Sequence, residues 1–327
     1  MVQDPILLKV FSTIQELKLI DSGSHIIVGL SGGPDSVFLL HALHQYSTQN
    51  KITLTAAHLD HQWRADSAKD VEFCQNLCTA LGVRFISQKI ENLATSFKFN
   101  GSGEEMGRKY RRFFFEQLFM QEKADAIALA HHADDQQETF FIRLLRGASL
   151  TGLTGMKVRD AHYIRPLLTI SKSEILYYLF EHSIPYCIDE SNESDAFLRN
   201  RVRNMVIPAL NKVDARFSTT FTQTIKRLQQ TEEFLDQLTE QTYVAITKND
   251  TIRVKIHVPS LLALHDTLQY RILMKWLCHE KVSFSPSQSF FDELLRFLKN
   301  SNNGKHTITA QWHVEHKNVW ASIQKHF

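Results

Sequence analysis

The sequence predicts an α/β fold built on a parallel sheet, followed by a smaller, mainly helical α+β domain at the C-terminal end. Short apolar runs alternate with helix-like segments from residue 26 to residue 182, a pattern typical of βαβ units. The pattern changes near residues 211–214, and a length of 327 residues also suggests two domains. We therefore expect one domain over residues 1–214 and a second over residues 215–327.

In the first domain, strands and helices alternate in chain order. Strands are expected where apolar runs are too short for a helix or alternate with polar residues, at residues 26–30, 53–59, 83–90, 126–130 and 162–168. Helices are expected at residues 37–46, 66–81, 104–121, 134–146 and 171–182. Capping residues begin the second of these helices, and Gly82 and Gly147 follow the ends of two.

The second domain begins with an amphipathic helix whose apolar residues recur three and four positions apart, at Phe217, Phe221, Ile225 and Leu228. A strand is expected at residues 251–256, helices at 259–280 and 287–299, and closing strands at 305–311 and 318–323. This domain has 14 Lys and Arg against 10 Asp and Glu, a net of +4, whereas residues 1–214 have 23 against 25, a net of −2. A basic domain suits nucleic acid, and a chance imbalance on a solvated surface is the alternative.

Composition excludes several classes of protein. Hydrophobic residues make up 43% of the chain, which is enough for a core and too much for a disordered protein. No run of 18 apolar residues occurs, and residues 1–25 lack the features of a secretory signal. Four cysteines are too few for a disulfide framework. We therefore expect a cytoplasmic protein without a membrane partner.

The most specific local pattern is a loop between the first strand and the first helix. It consists of Ser31, Gly32, Gly33, Pro34, Asp35 and Ser36. Glycines let backbone N–H groups approach a ligand, and a helix N-terminus favours an anion, so the loop predicts a phosphate site. It is not a Walker A loop, because no Gly-Lys-Ser/Thr sequence is present. The pattern resembles the SGGxDS loop of the PP-loop ATPases, which cleave ATP between the α and β phosphates; an ordinary tight turn is the alternative.

A second block, ALAHHADDQQETFFIRLLRG at residues 128–147, follows a predicted strand and opens a predicted helix. Asp135 and Glu138 are three residues apart, so one helical face presents both carboxylates. Such a pair could bind Mg²⁺, an ammonium group, or both. Helix capping by Asp134 and Asp135 is the alternative, but capping does not explain the paired histidines at residues 131 and 132.

This block resembles the HHxDDQxET…RLLRG block of the tRNA(Ile)-lysidine synthetases, a branch of the PP-loop ATPases. Matching stretches lie at residues 58–64, 152–156, 165–168, 184–192 and 199–204, so the resemblance covers roughly residues 24–210. It implies an adenine nucleotide α hydrolase-like fold with ATP and Mg²⁺ as cofactors. It also implies two partners, free lysine and the isoleucine tRNA with a CAU anticodon, and the chain could form a homodimer.

The resemblance further implies the reaction and the residues that perform it. ATP would adenylate the C2 oxygen of the wobble cytidine and release pyrophosphate. The ε-amine of lysine would then attack C2 and displace AMP, which changes the specificity of the tRNA from methionine to isoleucine. Residues 31–36 would hold the pyrophosphate, and Asp35 would position Mg²⁺. Arg111 would stabilise the adenylation transition state, and Asp135 and Glu138 would orient the lysine ammonium. His131 completes the expected catalytic group, and the second domain would hold the tRNA body.

Several arginines are candidates for contacts with the tRNA backbone or with ATP phosphates, because the guanidinium fork suits phosphate. They are Arg64, Arg108, Arg199, Arg201 and Arg203. The family often has A-R-x-x-R-Y where this chain has Gly107 through Arg112, so which of Arg108 and Arg111 meets the transition state stays open. A solvated basic face is the alternative for these clusters.

Other PP-loop enzymes are the competing functional predictions, and a tRNA thiolase is the main one. Cys74 and Cys78 lie four residues apart on a predicted helix and are expected to be core thiols. With Cys187 and Cys278 they do not form the CxxC pairs that zinc or an iron–sulfur cluster requires. An amidotransferase would need a glutaminase domain, and a nucleotide-binding regulator would not need the 128–147 block.

Overall fold

The computed structural model describes residues 4–62, 67–93, 103–188, 197–249, 253–300 and 303–325. The chain divides into two compact units, Met1–Leu228 and Gln229–Phe327. The division falls inside a continuous helix, Phe217–Ile246, whereas the sequence analysis placed the boundary after residue 214. The separate functions expected of the two domains stay predictions.

A six-stranded sheet forms the centre of the first unit. Its strands are β1 His25–Gly29, β2 Thr53–Asp60, β3 Arg84–Lys89, β4 Ala126–Ala128, β5 Arg159–Asp160 and β6 Tyr163–Ile164. They lie in the order β3-β2-β1-β4-β6-β5, and all neighbours are parallel except the β5–β6 pair. The predicted α/β class with a parallel sheet is confirmed. The strand predicted at 162–168 is wrong beyond Ile164, because Pro166 has no N–H for a ladder and the chain turns there.

Helices cover the sheet of the first unit. They are α1 Pro5–Glu16, α2 Pro34–Asn50, α3 Ser67–Leu81, α4 Gly103–Glu122, α5 Ala133–Leu145, α6 Leu150–Leu153, α7 Lys172–Glu181, α8 Leu198–Arg201, α9 Ile207–Val213 and the first part of α10 Phe217–Ile246. A 3₁₀ turn, Ile90–Asn92, follows β3, and a π-helical turn, Val202–Val206, joins α8 to α9. Helix α1 was not predicted from the sequence; its start is marked by Pro5 and by the Asp4 carboxylate, which accepts from the Ile6 N–H at 2.7 Å.

The central strand β1 is buried on both faces, which explains its unbroken apolar sequence. Ile26 and Val28 pack into the cluster that includes side chains of α1, α2 and α7. Ile27 points to the opposite face and packs into a second cluster with Phe114 and Phe115 of α4. Because Ile26, Ile27 and Val28 are all used in packing, a ligand can approach β1 only at its carboxyl end, as in other open α/β sheets.

The second unit contains an antiparallel sheet and the remaining helices. The strands are β7 Thr247–Asn249, β8 Val254–His257, β9 Asn303–Thr309, β10 Trp312–Lys317 and β11 Trp320–Lys325, in the order β7-β8-β11-β10-β9. The helices are α11 Val258–Leu262, α12 Asp266–His279 and α13 Gln288–Asn300.

Two predictions for this second unit are wrong in detail. The helix expected at 259–280 is divided into α11 and α12, because His265 turns out of the helix and its ring accepts from the Thr267 N–H at 3.2 Å. Three closing strands are present where two were predicted, since Asn318 adopts φ 55° and closes a tight turn between β10 and β11. Within the described residues, no helix is both long and apolar enough to cross a membrane.

Candidate active site

The predicted phosphate loop is formed between β1 and α2. Gly32 has φ +87°, a conformation that a side chain would strain. The Ser36 hydroxyl accepts from the Ser31 N–H at 3.1 Å and donates to the Gly33 carbonyl at 2.9 Å, which closes the loop on itself. Gly33 is the N-cap of α2 and offers no capping side chain, while Pro34 begins the helix. The start of α2 can therefore direct its backbone dipole at an anion.

Asp35, in the first turn of α2, is held by a lysine from another helix. Lys172, the first residue of α7, places Nζ 2.5 Å from Asp35 Oδ1. The backbone N–H of Lys172 donates to Asp134 Oδ1 at 3.1 Å, which fixes the start of α7 against the start of α5. Lys172 was not among the predicted site residues; Ser171 and Glu174 signal a helix start there, but no local pattern shows which helix the lysine contacts.

The paired histidines have different surroundings. His132 is buried at the start of α5, with Nε2 3.5 Å from Asp135 Oδ2 and 3.7 Å from Asp35 Oδ2. Burial disfavours its charged form, but Asp134, Asp135 and Asp35 together outweigh burial and raise its pKa. For His131, burial is the largest effect and lowers the pKa to about 4, and its Nδ1 has no hydrogen-bond partner. His132 therefore favours the charged form beside three carboxylates, whereas His131 is neutral at pH 7.

Asp135 and Glu138 lie on the same side of α5, as their spacing predicts, and each contacts an arginine. Arg199 donates through Nη2 to Asp135 Oδ1 at 2.6 Å and through Nε to Glu138 Oε2 at 2.6 Å. Arg203 donates through Nε to Glu138 Oε1 at 2.5 Å. Glu138 is 1% exposed, so this carboxylate depends on its two guanidinium partners. Burial opposes ionisation of Asp135, but His132 and Arg199 prevail and lower its pKa.

A cavity of about 360 Å³ opens beside the loop, within the size range of small-ligand sites. Its lining comes from the carboxyl ends of β1, β2 and β4, from the first turns of α2 and α3, and from α4. It includes Ser31, Asp35, Ser36, His61, Arg111 and His131. Arg111 Nη2 lies 3.3 Å from His61 Nε2, and burial, with the Arg111 charge next, lowers the pKa of His61 to about 4. A neutral His61 accepts from Arg111, so this guanidinium is oriented at the cavity wall.

The other arginines predicted to contact phosphate have different surroundings, and one lies outside the described residues. Arg108 lies one turn before Arg111 on α4. Burial lowers the pKa of Arg165, and the positive charge of Arg108 adds to that effect. Arg201 is exposed at the end of α8. Arg64 and the matching stretch at residues 189–192 lie outside the described residues.

The metal prediction rests on Asp35 alone. Across the described ranges, no group of three or more His, Cys, Asp and Glu side chains is arranged to hold a metal ion. Mg²⁺ is usually bound through one or two carboxylates together with substrate phosphates and water, so a single carboxylate beside a phosphate loop fits that ion.

Comparisons of the chain with known proteins agree on a single family. The model of the PP-loop domain family matches residues 7–210. The tRNA(Ile)-lysidine synthase of Bacillus subtilis (strain 168) is 38% identical over 85% of this chain and 60% of the relative. The enzyme of the same name from Clostridium tetani is 31% identical over 97% of this chain and 68% of the relative. The chain thus spans roughly three fifths to two thirds of the length of the curated relatives it matches.

Among solved structures, a U34-tRNA thiolase, NcsA from Methanococcus maripaludis with its 4Fe–4S cluster, aligns with a TM-score of 0.58. It is 21% identical and covers 68% of this chain and 78% of its own. This similarity shows a shared fold.

Proposed function

This chain belongs to the PP-loop family, among its tRNA(Ile)-lysidine synthases, and we propose that it ligates free lysine to C2 of the wobble cytidine in the isoleucine tRNA with a CAU anticodon. The reaction would pass through an adenylated cytidine and release pyrophosphate and then AMP. The observation that carries the proposal is the buried carboxylate pair Asp135 and Glu138 on α5, the helix whose N-cap residue His132 lies 3.7 Å from Asp35 of the phosphate loop. Such a pair suits a ligand with an ammonium group next to an ATP site.

In the first half-reaction, the loop at residues 31–36 binds the phosphates of ATP with the backbone dipole of α2. Lys172 adds an ammonium group beside Asp35. It would contact the ATP phosphates as the lysine of a Walker A loop does, although it belongs to a different helix and not to the loop itself. Mg²⁺ would be held by Asp35 and would offset the charge of the departing pyrophosphate. Arg111, at the cavity wall, stabilises negative charge that develops on the α-phosphate.

In the second half-reaction, lysine enters beside Asp135 and Glu138. The charges of these carboxylates are already balanced by Arg199 and Arg203. A lysine ammonium must therefore replace some of the hydrogen bonds that the two arginines donate. Arg199 is 28% exposed in its side chain and can turn from Asp135 toward the lysine carboxylate. Asp135, released by Arg199, then holds the ε-ammonium of lysine and accepts its proton. The resulting neutral amine attacks C2 of the cytidine.

The tRNA must present its wobble base to this site, which requires the base to leave the anticodon stack. We propose that the net charge of +4 over residues 215–327 contributes contacts to the tRNA phosphates. A cytoplasmic location, where tRNA is modified, and a homodimer belong to the same proposal. Sedimentation of the purified chain measures directly whether it is a monomer or a homodimer.

A tRNA thiolase is the second candidate, and it is less supported. Its support is the shared fold with the archaeal thiolase. Against it, Cys74 and Cys78 are fully buried in α3, where they cannot deliver sulfur to a substrate.

One assay tests the proposal. The purified chain is incubated with ATP, labelled lysine and either the isoleucine or the methionine tRNA with a CAU anticodon. We expect lysine to be transferred to the isoleucine tRNA alone, with one AMP formed for each lysine. Transfer of sulfur instead of lysine, or no lysine transfer to either tRNA, would overturn it.

A further inference from the structure

Two thiols lie against the same glycine of the phosphate loop, and the proposed reaction uses neither. A Cβ placed on Gly32 would stand 3.4 Å from Cys74 Sγ and 3.4 Å from Cys187 Sγ. The N–H of Cys187 also donates to the Gly32 carbonyl at 2.9 Å. Both cysteines are reduced in the structure, so the loop packs on two separate sulfur atoms.

The two thiols differ in their access to solvent. Cys74 lies on α3 with no exposed surface, and its sulfur is 3.7 Å from His58 Nδ1. Burial, with Cys187 next, raises the pKa of the Cys74 thiol. Cys187 is half-buried in the segment after α7. A small oxidant therefore reaches Cys187 first, and Cys74 is protected until its neighbour has reacted.

We propose that Cys74 and Cys187 form a peroxide-sensitive pair whose oxidation to a disulfide distorts the phosphate loop. In the first step the Cys187 sulfur attacks hydrogen peroxide, the O–O bond breaks, and a sulfenic acid and one water form. In the second step Cys74 gives up its proton and its thiolate attacks the sulfenic sulfur; the hydroxyl leaves and takes up that proton as a second water. Two thiols are oxidised by two electrons, and one peroxide is reduced to two waters.

The effect on the loop follows from distances. A disulfide holds its sulfurs about 2.05 Å apart, closer than two thiols in van der Waals contact. Closing that gap moves the Cys187 backbone, and the hydrogen bond from Cys187 N–H to the Gly32 carbonyl transmits the movement to the loop. The loop is also held by Ser36, whose hydroxyl accepts from the Ser31 N–H and donates to the Gly33 carbonyl, so a shift at Gly32 disturbs these bonds as well.

The consequence for ligand binding rests on the proposed function, namely that this loop binds ATP. We expect the oxidised protein to bind ATP about tenfold or more weakly than the reduced protein, and dithiothreitol to restore the affinity. The formation of the disulfide does not depend on that function, and its detection does not require ATP.

The experiment exposes the full chain to hydrogen peroxide and then measures two quantities. Mass spectrometry without reduction tests for a linked Cys74–Cys187 peptide, and calorimetry gives the Kd of ATP before and after oxidation. Cys278→Ser is the matched control, because Cys278 is an exposed thiol of the second unit. Cys187→Ser and Cys74→Ala remove the two partners separately, and each variant is compared with its own untreated sample.

We expect the linked peptide and the reversible loss of ATP affinity in the wild type and in Cys278→Ser, and neither in Cys187→Ser nor in Cys74→Ala. The absence of the linked peptide from the oxidised wild type overturns the proposal. A loss of affinity in Cys187→Ser equal to that of the wild type also overturns it, as does a linked protein with unchanged ATP affinity. If the reduced wild type binds no ATP while the linked peptide forms, it is the proposed function that fails.

Discussion

Lys172 Nζ lies 2.5 Å from Asp35 Oδ1, which joins the first turn of α7 to the first turn of α2 across 137 positions of the sequence. The pair places a mobile positive charge beside a loop whose own residues include no lysine. When phosphates occupy the loop, the ammonium can contact them while Asp35 turns to a metal ion. The ion pair thus connects a predicted site residue, Asp35, with a residue that no local pattern indicates, Lys172.

Replacing Lys172 by Met should weaken ATP binding and leave the fold intact. A charge-assisted hydrogen bond contributes about 1.5–3 kcal/mol, so the Kd of ATP should rise by roughly 10- to 150-fold. Lys9→Met is the matched control, because Lys9 also pairs with an acidic residue of α7, Glu174, but its side chain is 57% exposed and does not line the cavity beside the loop. Calorimetry with ATP distinguishes them; equal Kd values for the two variants would contradict a role for Lys172 at the phosphates.

Replacing Glu138 by Gln should impair the lysine step more than the adenylation step. The change keeps the size of the side chain but removes one charge from the pair that holds the ammonium. The apparent affinity for lysine, or the rate of the second step, should fall by roughly 10- to 150-fold. Measuring the two half-reactions separately across a lysine titration tests this, and adenylated tRNA should accumulate.

The same variant should also be less stable, since Arg199 and Arg203 would lose a buried anionic partner. We expect a loss of about 1–3 kcal/mol in the free energy of unfolding, measured by urea denaturation. Equal losses in both half-reactions with an unchanged lysine dependence would leave Glu138 with a structural role only.

The stability contributed by His132 should depend on pH in a defined direction. Because the folded protein raises its pKa, the contribution is fully present below the unfolded value of about 6.5 and is lost as pH rises through the folded value. The difference in melting temperature between the wild type and His132→Asn should therefore be larger at pH 5.5 than at pH 9. A difference that grows with pH would mean that burial outweighs the three carboxylates.

A fragment of residues 1–228 should bind ATP like the whole chain but bind tRNA more weakly. It lacks most of the basic C-terminal part, so the dependence of tRNA affinity on salt should also be less steep. Titration of tRNA at several salt concentrations measures both quantities. Equal tRNA affinity for the fragment and the whole chain would refute the proposed division of labour.

The boundary expected from the sequence, after residue 214, should give a less stable fragment. Phe221 of α10 packs edge-to-face on Phe140 of α5 at 5.2 Å and stacks on Phe141 at 6.2 Å. A cut at residue 214 removes this buried ring and exposes the helix that carries Asp135 and Glu138. We expect residues 1–214 to be about 3–5 kcal/mol less stable than residues 1–228 in urea denaturation.

Local features of the first unit were predicted closely because their causes are local. The loop at residues 31–36 is recognisable from its glycines and its position between an apolar run and a helix. The common face of Asp135 and Glu138 follows from the helical period alone. The second unit was predicted less well, since the break at His265 and the turn at Asn318 depend on single residues that also occur inside helices and strands.

The sequence by itself determined the alternation of strands and helices, the phosphate loop and the residues that begin α5, because each depends on contacts within a few positions of the chain. Only the tertiary structure decided which side chains meet at the site. The sheet order β3-β2-β1-β4-β6 brings the ends of distant segments to one edge, so Lys172 reaches Asp35, Arg199 reaches Glu138, and Cys187 reaches Gly32. No periodic pattern encodes such pairs, since they arise from packing between elements that are far apart in the chain.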